Sequence, residues 1–218
     1  MTRISPSILS SDFSNLEQEI KSLDKAGADW IHIDVMDGCF VPNITLGAPI
    51  VKAIRPHTRL PFDVHLMIRD PLAYIPDFLT AGADIITFHL ESESDTKKTI
   101  AAIRAGGAMA SLSIKPATPV QAVFPYLDTL SMVLIMSVEP GFGGQSFQES
   151  CLEKIRILRR EAQKRDLPLL IQVDGGIDEN TIALCAAAGA DTFAVGSTIF
   201  RADDRKAAIQ HLRIAAQG

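Results

Sequence analysis

The sequence has few cysteines, and they are widely spaced. Its 218 residues include only three, Cys39, Cys151 and Cys185, and no pair has the Cys-x-x-Cys spacing of a zinc knuckle. An odd, scattered set is typical of a protein in a reducing compartment rather than of a disulfide-stabilised secreted domain. We therefore expect free thiols and no structural zinc site built from cysteine.

Long apolar runs and an excess of basic residues are also absent. No apolar stretch reaches 18 residues, and the amino terminus lacks the apolar segment of a signal peptide. The formal net charge is −5, with no run of five like charges. These absences argue against a membrane or nucleic acid as partner, and we expect a cytoplasmic protein that binds any anionic ligand through local groups.

The composition and spacing predict one α/β domain over residues 1–218. The sequence is 47% hydrophobic and 22% charged, and it has no linker or low-complexity tract. Eight strand-like runs alternate with helix-like stretches such as 97–105 and 148–165, which indicates parallel strands joined by right-handed crossovers. Eight strands close such a sheet into a (β/α)₈ TIM barrel. An open doubly wound sheet is the alternative, but no Gly-x-Gly-x-x-Gly follows the first strand. The predicted strands are residues 4–9, 30–35, 62–66, 85–89, 109–114, 132–138, 169–173 and 192–195.

The motif Ala-Gly-Ala-Asp occurs three times, each time between a helix-like segment and a strand-like run. Its glycines are Gly27, Gly82 and Gly189. A left-handed residue commonly ends a helix, and glycine adopts that conformation without strain from a Cβ atom. We expect each motif to end a helix just before a strand.

Polar residues occupy one face of two predicted strands. His32 and Asp34 alternate with apolar residues in the run 30–38, and Asp63 and His65 do so in the run 62–67. Polar groups on the inner face of a buried strand must pair with one another, with a metal or with a substrate.

Four imidazole and carboxylate groups fall at the carboxyl ends of predicted strands, where the active sites of barrels lie. Their types suit a divalent transition metal, with Zn²⁺, Mn²⁺, Fe²⁺ and Co²⁺ all accepted by such ligands. The alternative is a buried ion-pair network that holds the barrel mouth together. The four candidate ligands are His32, Asp34, His65 and Asp174.

Three glycine-containing turns follow the sixth, seventh and eighth predicted strands. Such turns let a backbone approach a ligand closely and present N–H groups to an anion. A phosphate site at the last loops of a barrel is a recurrent feature, although any one of these turns alone is more often a tight corner. The turns contain Gly141, Phe142, Gly143 and Gly144, then Gly175 and Gly176, then Gly196 and Ser197.

Three methionines and one lysine also fall near the predicted barrel mouth. Met36, Met67 and Met136 fill gaps in the core or, alternatively, form an apolar cap that keeps water from a reacting carbon. Lys115 could form a Schiff base, as in a class I aldolase, but its position before Pro116 equally fits a partly solvated corner.

Taken in order, these motifs resemble those of the ribulose-phosphate 3-epimerase family along nearly the whole chain. The resemblance implies a metal-dependent isomerase that converts D-ribulose 5-phosphate into D-xylulose 5-phosphate through a cis-enediolate, in the pentose phosphate pathway or the Calvin cycle. It also implies a homo-oligomer, a dimer or a hexamer. The matching blocks are residues 6–10, 32–43, 63–67, 116–119, 140–145, 174–176 and 196–197.

The resemblance assigns a role to each site residue. Asp34 and Asp174 would be the acid/base pair, and both would bind the metal, with Zn²⁺ favoured, together with His32 and His65. The methionines would form the cap. The odd spacing of Asp37 from Asp34 and the glycine that follows it place Asp37 off the inner face, so we expect it to have a structural role in the loop. The residues expected to bind the sugar phosphate are Ser7, His65, Gly141, Phe142, Gly143, Gly144, Gly175, Gly176, Gly196 and Ser197.

Three other functions stay open. The nearest is 3-epimerisation of a six-carbon ketose phosphate such as D-allulose 6-phosphate. The paired glycines at 143–144 and 175–176 favour the five-carbon substrate instead. A Schiff-base aldolase that uses Lys115 leaves the histidines and aspartates unexplained. A sugar-phosphate-binding barrel without catalysis is disfavoured because both candidate acid/base carboxylates are present.

Overall fold

In the computed structural model, which describes residues 2–218, eight parallel strands form one sheet that curves into a barrel. Each strand pairs with its neighbour in sequence from β2 to β8, and β8 pairs with β1. A parallel bridge between Ser7 and His32 joins the β1 side to β2. The predicted (β/α)₈ TIM barrel is therefore confirmed. The strands are β1 Arg3–Pro6, β2 Ile31–Met36, β3 Phe62–Met67, β4 Ile85–His89, β5 Met109–Ile114, β6 Met132–Met136, β7 Leu170–Asp174 and β8 Thr192–Val195.

Helices connect the strands on the outside of the barrel. The crossover between β5 and β6 is a 3₁₀ segment, Val120–Thr129, in which Pro125 has no N–H to donate to a regular helix. Shorter 3₁₀ turns are Ile8–Ser10, Phe13–Asn15 and Arg55–His57. Among residues 2–218, no helix combines the length and the apolar composition needed to cross a membrane. The α-helices are α1 Leu16–Ala26, α2 Ala48–Ile54, α3 Pro71–Thr80, α4 Thr96–Ala105, α5 Cys151–Lys164, α6 Glu179–Ala188, α7 Ser197–Phe200 and α8 Arg205–Ala215.

The strands place apolar side chains outward and polar side chains inward. In β2, Ile31, Ile33 and Val35 belong to the large apolar layer between sheet and helices. Burial of one such side chain stabilises the fold by about 1.5–3 kcal/mol. The residues between them, His32 and Asp34, face the barrel interior and are buried there. The apolar layer thus fixes which side chains point towards the axis.

The three Ala-Gly-Ala-Asp motifs have the same structure. Their glycines adopt left-handed φ angles of 82°, 93° and 114° and follow helices, as predicted. Each motif's aspartate accepts a hydrogen bond from the first or second amide of a neighbouring strand and contacts an arginine. The pairs are Asp29 with Arg213, Asp84 with Arg55, and Asp191 with Arg159. These contacts tie helices to the amino-terminal end of the barrel.

Several predicted boundaries were wrong by a few residues. The first strand ends at Pro6 rather than at residue 9, because the Ser7 side chain accepts a hydrogen bond from the Leu9 amide and starts a 3₁₀ turn. The sixth strand ends at Met136 rather than at 138, since the Ser137 hydroxyl turns to the carbonyls of Asp174 and Gly175. Helix α5 begins at Cys151 rather than at residue 148.

Candidate active site

A cavity of about 410 Å³ opens at the carboxyl ends of the strands. The structure brings most of the predicted site residues to its wall. His32 and His65 are completely buried and lie below this wall, next to Asp34. The predicted residues that line the cavity are Ser7, Asp34, Met36, Met67, Met136, Gly141, Phe142, Gly143, Gly144, Asp174, Gly175, Gly176, Gly196 and Ser197.

Four of the predicted site residues have side chains that lie close enough together to bind one metal ion. One atom each from His32, Asp34, His65 and Asp174 lies within 4.8 Å of all the others. Asp34 Oδ1 is 3.3 Å from His32 Nε2 and 3.3 Å from His65 Nδ1, and His65 Nδ1 is 3.8 Å from Asp174 Oδ2. Donor atoms at about 2.0–2.2 Å from a tetrahedral Zn²⁺ lie roughly 3.3–3.6 Å apart, so this group could bind a metal ion.

The buried nitrogens of this cluster fit a cation. His32 Nε2 and His65 Nδ1 have no hydrogen-bond partner among residues 2–218, although both are buried. A buried polar atom without a partner is costly, whereas a bound cation would accept both lone pairs. The opposite nitrogen of each ring is engaged, as in protein metal sites, where an outer partner holds the ligating imidazole.

The outer partner of His32 is a buried carboxylate. Asp63 Oδ2 lies 2.7 Å from His32 Nδ1 and also accepts hydrogen bonds from Ser5 and Gln172. With a cation bound, Asp63 would accept the proton of Nδ1 and leave the lone pair of Nε2 for the cation. Asp34 is held in a similar way, because the Ser7 hydroxyl donates to its Oδ2 at 2.6 Å.

The outer partner of His65 is a second imidazole. His65 Nε2 lies 2.9 Å from His89 Nε2, and His89 Nδ1 lies 3.3 Å from Glu91 Oε2. Burial lowers the pKa of His89 to about 4, despite its hydrogen bond to Glu91. Although burial acts in the opposite direction, hydrogen bonds from His89, Thr118 and the Lys115 amide lower the pKa of Glu91 to about 2. At neutral pH, His89 is therefore uncharged and Glu91 is ionised.

The two carboxylates of the cluster have opposite pKa shifts. Burial tends to raise the pKa of Asp34, but His32 and His65 outweigh it and hold that pKa well below its usual range. Burial and the nearby charge of Asp34 raise the pKa of Asp174 to about 6. Carboxyl pairs whose environments separate their pKa values are typical of acid/base sites.

The other wall of the cavity is made of glycine turns with free amides. The amides of Gly175, Gly176, Gly196 and Ser197 donate to no backbone acceptor within the described residues 2–218. Converging N–H groups of this kind suit an anion. Side chains would obstruct the turns: a Cβ at Gly176, whose φ is +59°, would lie 2.7 Å from the Phe147 amide nitrogen, and one at Gly196 would lie 2.5 Å from Ser10 Oγ.

Apolar side chains line the space between the carboxylates and the glycine turns. Met36 and Met67 pack together with Val41, and Met136 packs with Val138. Phe142 lies on the loop above and is 55% exposed. The Asn43 amide donates to the Gly141 carbonyl at 2.8 Å and ties that loop to the segment after β2.

Comparisons with known proteins agree with this geometry. The family model described as the ribulose-phosphate 3 epimerase family matches residues 3–200. A ribulose-phosphate 3-epimerase of Bacillus subtilis is 50% identical over 214 residues, which cover 98% of this chain and 99% of that protein. One from Synechocystis is 49% identical, over 96% of this chain and 92% of that protein. The chain belongs to the ribulose-phosphate 3-epimerase family.

Solved structures of low sequence identity share the fold. The structure of KGPDC from Streptococcus mutans has a TM-score of 0.74 at 15% identity and covers 99% of this chain and 97% of its own. A 3-hexulose-6-phosphate synthase from Salmonella typhimurium has a TM-score of 0.71 at 20% identity, with 99% of both chains covered. These likenesses show the barrel alone, whereas the matches within the epimerase family extend over nearly the whole sequence.

Two further predicted residues of this family member lie outside the cavity wall. Asp37 accepts hydrogen bonds from the amides of Cys39, Phe40 and Arg69, so its structural role in the loop is confirmed. Lys115 does not line the cavity, and its Nζ lies 4.1 Å from the centre of the Phe40 ring.

The sequence alone indicates no role for the residues behind the cluster, Asp63, His89 and Glu91. Asp63 falls on the inner face of a predicted strand and His89 is the last residue of the predicted strand 85–89, but neither position indicates a contact with the cluster, and Glu91 carries no signal at all. The spacing His89-x-Glu91 repeats the His32-x-Asp34 spacing at another strand end, and that repetition could have drawn attention to it.

Proposed function

We propose that this chain inverts C3 of D-ribulose 5-phosphate to give D-xylulose 5-phosphate, with a divalent cation bound between Asp34 and Asp174. Family membership supplies the reaction class. The observation that carries the proposal is the pair of carboxylates from β2 and β7 that meet two imidazoles in one cluster at the barrel mouth.

The two carboxylates suit an inversion next to a carbonyl group. One carboxylate cannot reach both faces of C3, so removal and return of a proton need two, one ionised and one protonated. Asp34, with its lowered pKa, takes the proton from one face. Asp174, whose pKa is shifted upwards relative to that of Asp34, would donate a proton to the opposite face of the resulting cis-enediolate. In the reverse reaction the roles exchange.

The cation would be held by His32 Nε2, His65 Nδ1 and one oxygen each of Asp34 and Asp174. We propose Zn²⁺, while the ligand types also accept Fe²⁺, Mn²⁺ or Co²⁺. A bound cation stabilises the negative charge that develops on the substrate oxygens and makes the C3 proton more acidic. Asp63 and Ser7 keep His32 and Asp34 in their orientations, so the ligands are arranged in advance.

The glycine turns would bind the phosphate group of the substrate. Amides at 175–176 and 196–197 face a cavity whose lining lacks Lys and Arg side chains, so backbone N–H groups supply the attraction for the anion. A phosphate held there orients the sugar and contributes binding energy away from the reacting carbon. Met36, Met67 and Met136 then cover the reacting carbon and keep water away from it.

A coupled assay tests this function directly. Purified protein is given D-ribulose 5-phosphate, and D-xylulose 5-phosphate is detected before and after metal is stripped with a chelator. We expect turnover that is lost on stripping and restored by Zn²⁺, Mn²⁺, Fe²⁺ or Co²⁺. Turnover that persists after verified metal removal would contradict the metal role and make His32 and His65 hydrogen-bond partners of the substrate instead.

Two further measurements separate the alternatives. A kcat/KM for D-allulose 6-phosphate that exceeds the value for D-ribulose 5-phosphate would favour the six-carbon substrate. Trapping with borohydride in the presence of substrate would reveal a Schiff base at Lys115. We expect no trapping, because Lys115 Nζ lies against Phe40 rather than in the cavity.

A homo-oligomeric state, dimer or hexamer, and a cytoplasmic location stay predictions that sedimentation and cell fractionation can test.

A further inference from the structure

A chain of hydrogen bonds runs from the candidate metal ligands to a residue outside the cavity. We propose that Glu91 is a positioning residue that acts through His89 to fix the tautomer of His65, so that His65 Nδ1 keeps the lone pair needed to bind the cation. This inference rests on the metal role proposed above. It assigns a specific task to two residues, Glu91 and His89, that do not line the cavity.

The first step is the direction of the bond between Glu91 and His89. Glu91 Oε1 accepts two hydrogen bonds from the segment 115–118, as a carboxylate does, and a carboxylate can only accept hydrogen bonds. Its Oε2 lies 3.3 Å from His89 Nδ1, so Nδ1 carries the proton. Neutral imidazole has only one N–H, and the lone pair of His89 is therefore on Nε2.

The protonation of His89 determines which nitrogen of His65 carries the proton. Two ring nitrogens 2.9 Å apart, His65 Nε2 and His89 Nε2, form a hydrogen bond only if one is protonated and the other is not. Since His89 Nε2 has the lone pair, His65 Nε2 must carry the proton. In the neutral ring, His65 Nδ1 would then hold the lone pair that a cation near Asp34 Oδ1 and Asp174 Oδ2 would accept.

Glu91 is itself held in one orientation. Its Oε1 accepts hydrogen bonds from the Lys115 amide at 2.8 Å and from the Thr118 hydroxyl. The segment that supplies both donors is fixed by Lys154, whose Nζ donates to the carbonyls of Lys115, Pro116 and Thr118. Oε1 is thus committed to two donors, and Oε2 alone serves His89.

Because Glu91 Oε1 accepts two hydrogen bonds, the orientation of a glutamine at this position can be predicted, and Glu91→Gln is an informative substitution. The glutamine oxygen must face the Lys115 amide, because the opposite orientation would set two N–H groups against each other. The glutamine NH₂ then faces His89 Nδ1 and donates to it, which moves the His89 proton to Nε2. His65 Nε2 becomes the acceptor, and its proton moves to Nδ1, where it opposes a cation.

The expected result is weaker metal binding by a protein of nearly the same shape. Loss of an outer partner of a metal-bound histidine typically costs 10–100-fold in metal affinity. We expect a loss of about that size for Zn²⁺ in Glu91→Gln, measured by competition with a chromophoric chelator. Glu93→Gln is the matched control, because Glu93 is exposed and its Oε2 lies 3.9 Å from Arg69 Nε rather than against a histidine of the cluster. Unchanged Zn²⁺ affinity in a folded Glu91→Gln protein would overturn the proposal.

A double-mutant cycle shows whether Glu91 acts through His89. In a His89→Phe background the ring has no nitrogen that could bond to both Glu91 and His65. Glu91→Gln should therefore cause no further loss of Zn²⁺ affinity. Equal losses in both backgrounds would mean that Glu91 affects the site by another route.

The unmodified protein provides a test that needs neither variant nor metal. Ring ¹⁵N chemical shifts report which nitrogen of each histidine is protonated. We expect protonated Nε2 in His65 and protonated Nδ1 in His89, with the other two nitrogens unprotonated. The reverse pattern would overturn the inference. Because metal-free protein is used, this result is independent of the epimerase assay and of the metal titration, which test the proposed function.

Discussion

The two ends of the barrel use aspartate in different ways. At the amino-terminal end, Asp29, Asp84 and Asp191 each accept a backbone N–H and contact an arginine. At the carboxyl-terminal end, Asp34 and Asp174 meet two imidazoles whose inward nitrogens have no partner in residues 2–218. At the first end the charges are paired within the chain, whereas at the second end the polar groups could bind a metal ion.

The aspartates at the two ends should therefore serve different properties of the protein, the stability of the fold at one end and the proposed reaction at the other. Paired and hydrogen-bonded carboxylates hold helices to strands, whereas a cluster with unpartnered lone pairs and opposite pKa shifts can bind a cation and move protons. We therefore expect the stability of the fold to depend on the first set of aspartates and the proposed reaction to depend on the second. Substitutions at matched positions on the two ends should separate the two properties.

The largest effect is expected for Asp174→Asn. This change removes the group proposed to donate a proton, and such groups contribute about 10²–10⁴-fold to the rate. We expect kcat for D-ribulose 5-phosphate to fall by roughly that factor, while circular dichroism stays that of the folded protein. Full activity in Asp174→Asn would contradict the two-carboxylate mechanism.

Asp191→Asn provides the matched change at the other end. It weakens the contact with Arg159 and the hydrogen bond from the Ile171 amide. Groups left without a buried partner cost about 1–3 kcal/mol each, so thermal unfolding should occur several degrees lower. Activity per folded molecule should be unchanged. A loss of kcat as large as that of Asp174→Asn would mean that the two ends are not separable.

A second contrast concerns two glycines with positive φ. Gly176→Ala would place a Cβ 2.7 Å from the Phe147 amide nitrogen beside the proposed phosphate site, whereas Gly107→Ala, also at positive φ, would meet nothing within 4 Å. Both changes strain the backbone, but only the first should impair substrate binding. We expect kcat/KM to fall about 10-fold or more in Gly176→Ala, since phosphate contacts orient the substrate. Steady-state kinetics of both variants would reveal equal losses if the glycine turns do not bind phosphate.

A smaller effect is expected on the pH dependence of stability in metal-free protein. The pKa of Asp174 is raised to about 6 from 3.8, so the fold favours its neutral form. The resulting stabilisation is fully present below pH 3.8 and is lost as the pH rises through 6. Asp174→Asn stays neutral, so it should unfold at a higher temperature than unmodified protein at pH 7.5, and this gap should narrow below pH 6 and close below pH 3.8. A gap that does not change with pH would contradict the raised pKa.

The sequence was sufficient to predict the barrel and the inner faces of its strands. Alternation in β2 and β3 is a local pattern, and it correctly placed His32, Asp34 and His65 on the barrel axis. The end of β1 was missed because Ser7 turns the chain by a side-chain hydrogen bond that alternation does not encode. The aspartates of the repeated motif were noticed without their arginine partners, which come from segments up to 184 residues away.

Residues behind the cluster were harder to predict than residues in it. Glu91 is one acidic residue after a strand. Its contact with His89 bears on the cluster only because the other nitrogen of the His89 ring contacts His65. Asp63 likewise looks like any buried polar residue until it is seen against His32 Nδ1. Such partners depend on strand register around the closed barrel.

The most direct test of the two-carboxylate site is hydrogen exchange at C3 in D₂O. Metal-loaded Asp174→Asn is incubated separately with each of the two epimers, D-ribulose 5-phosphate and D-xylulose 5-phosphate, and deuterium at C3 is followed by NMR. We predict deuterium incorporation without epimerisation, in only one of the epimers, because Asp34 alone can reach a single face of C3. Epimerisation at the rate of the unmodified protein would contradict the account, as would exchange of both epimers at equal rates.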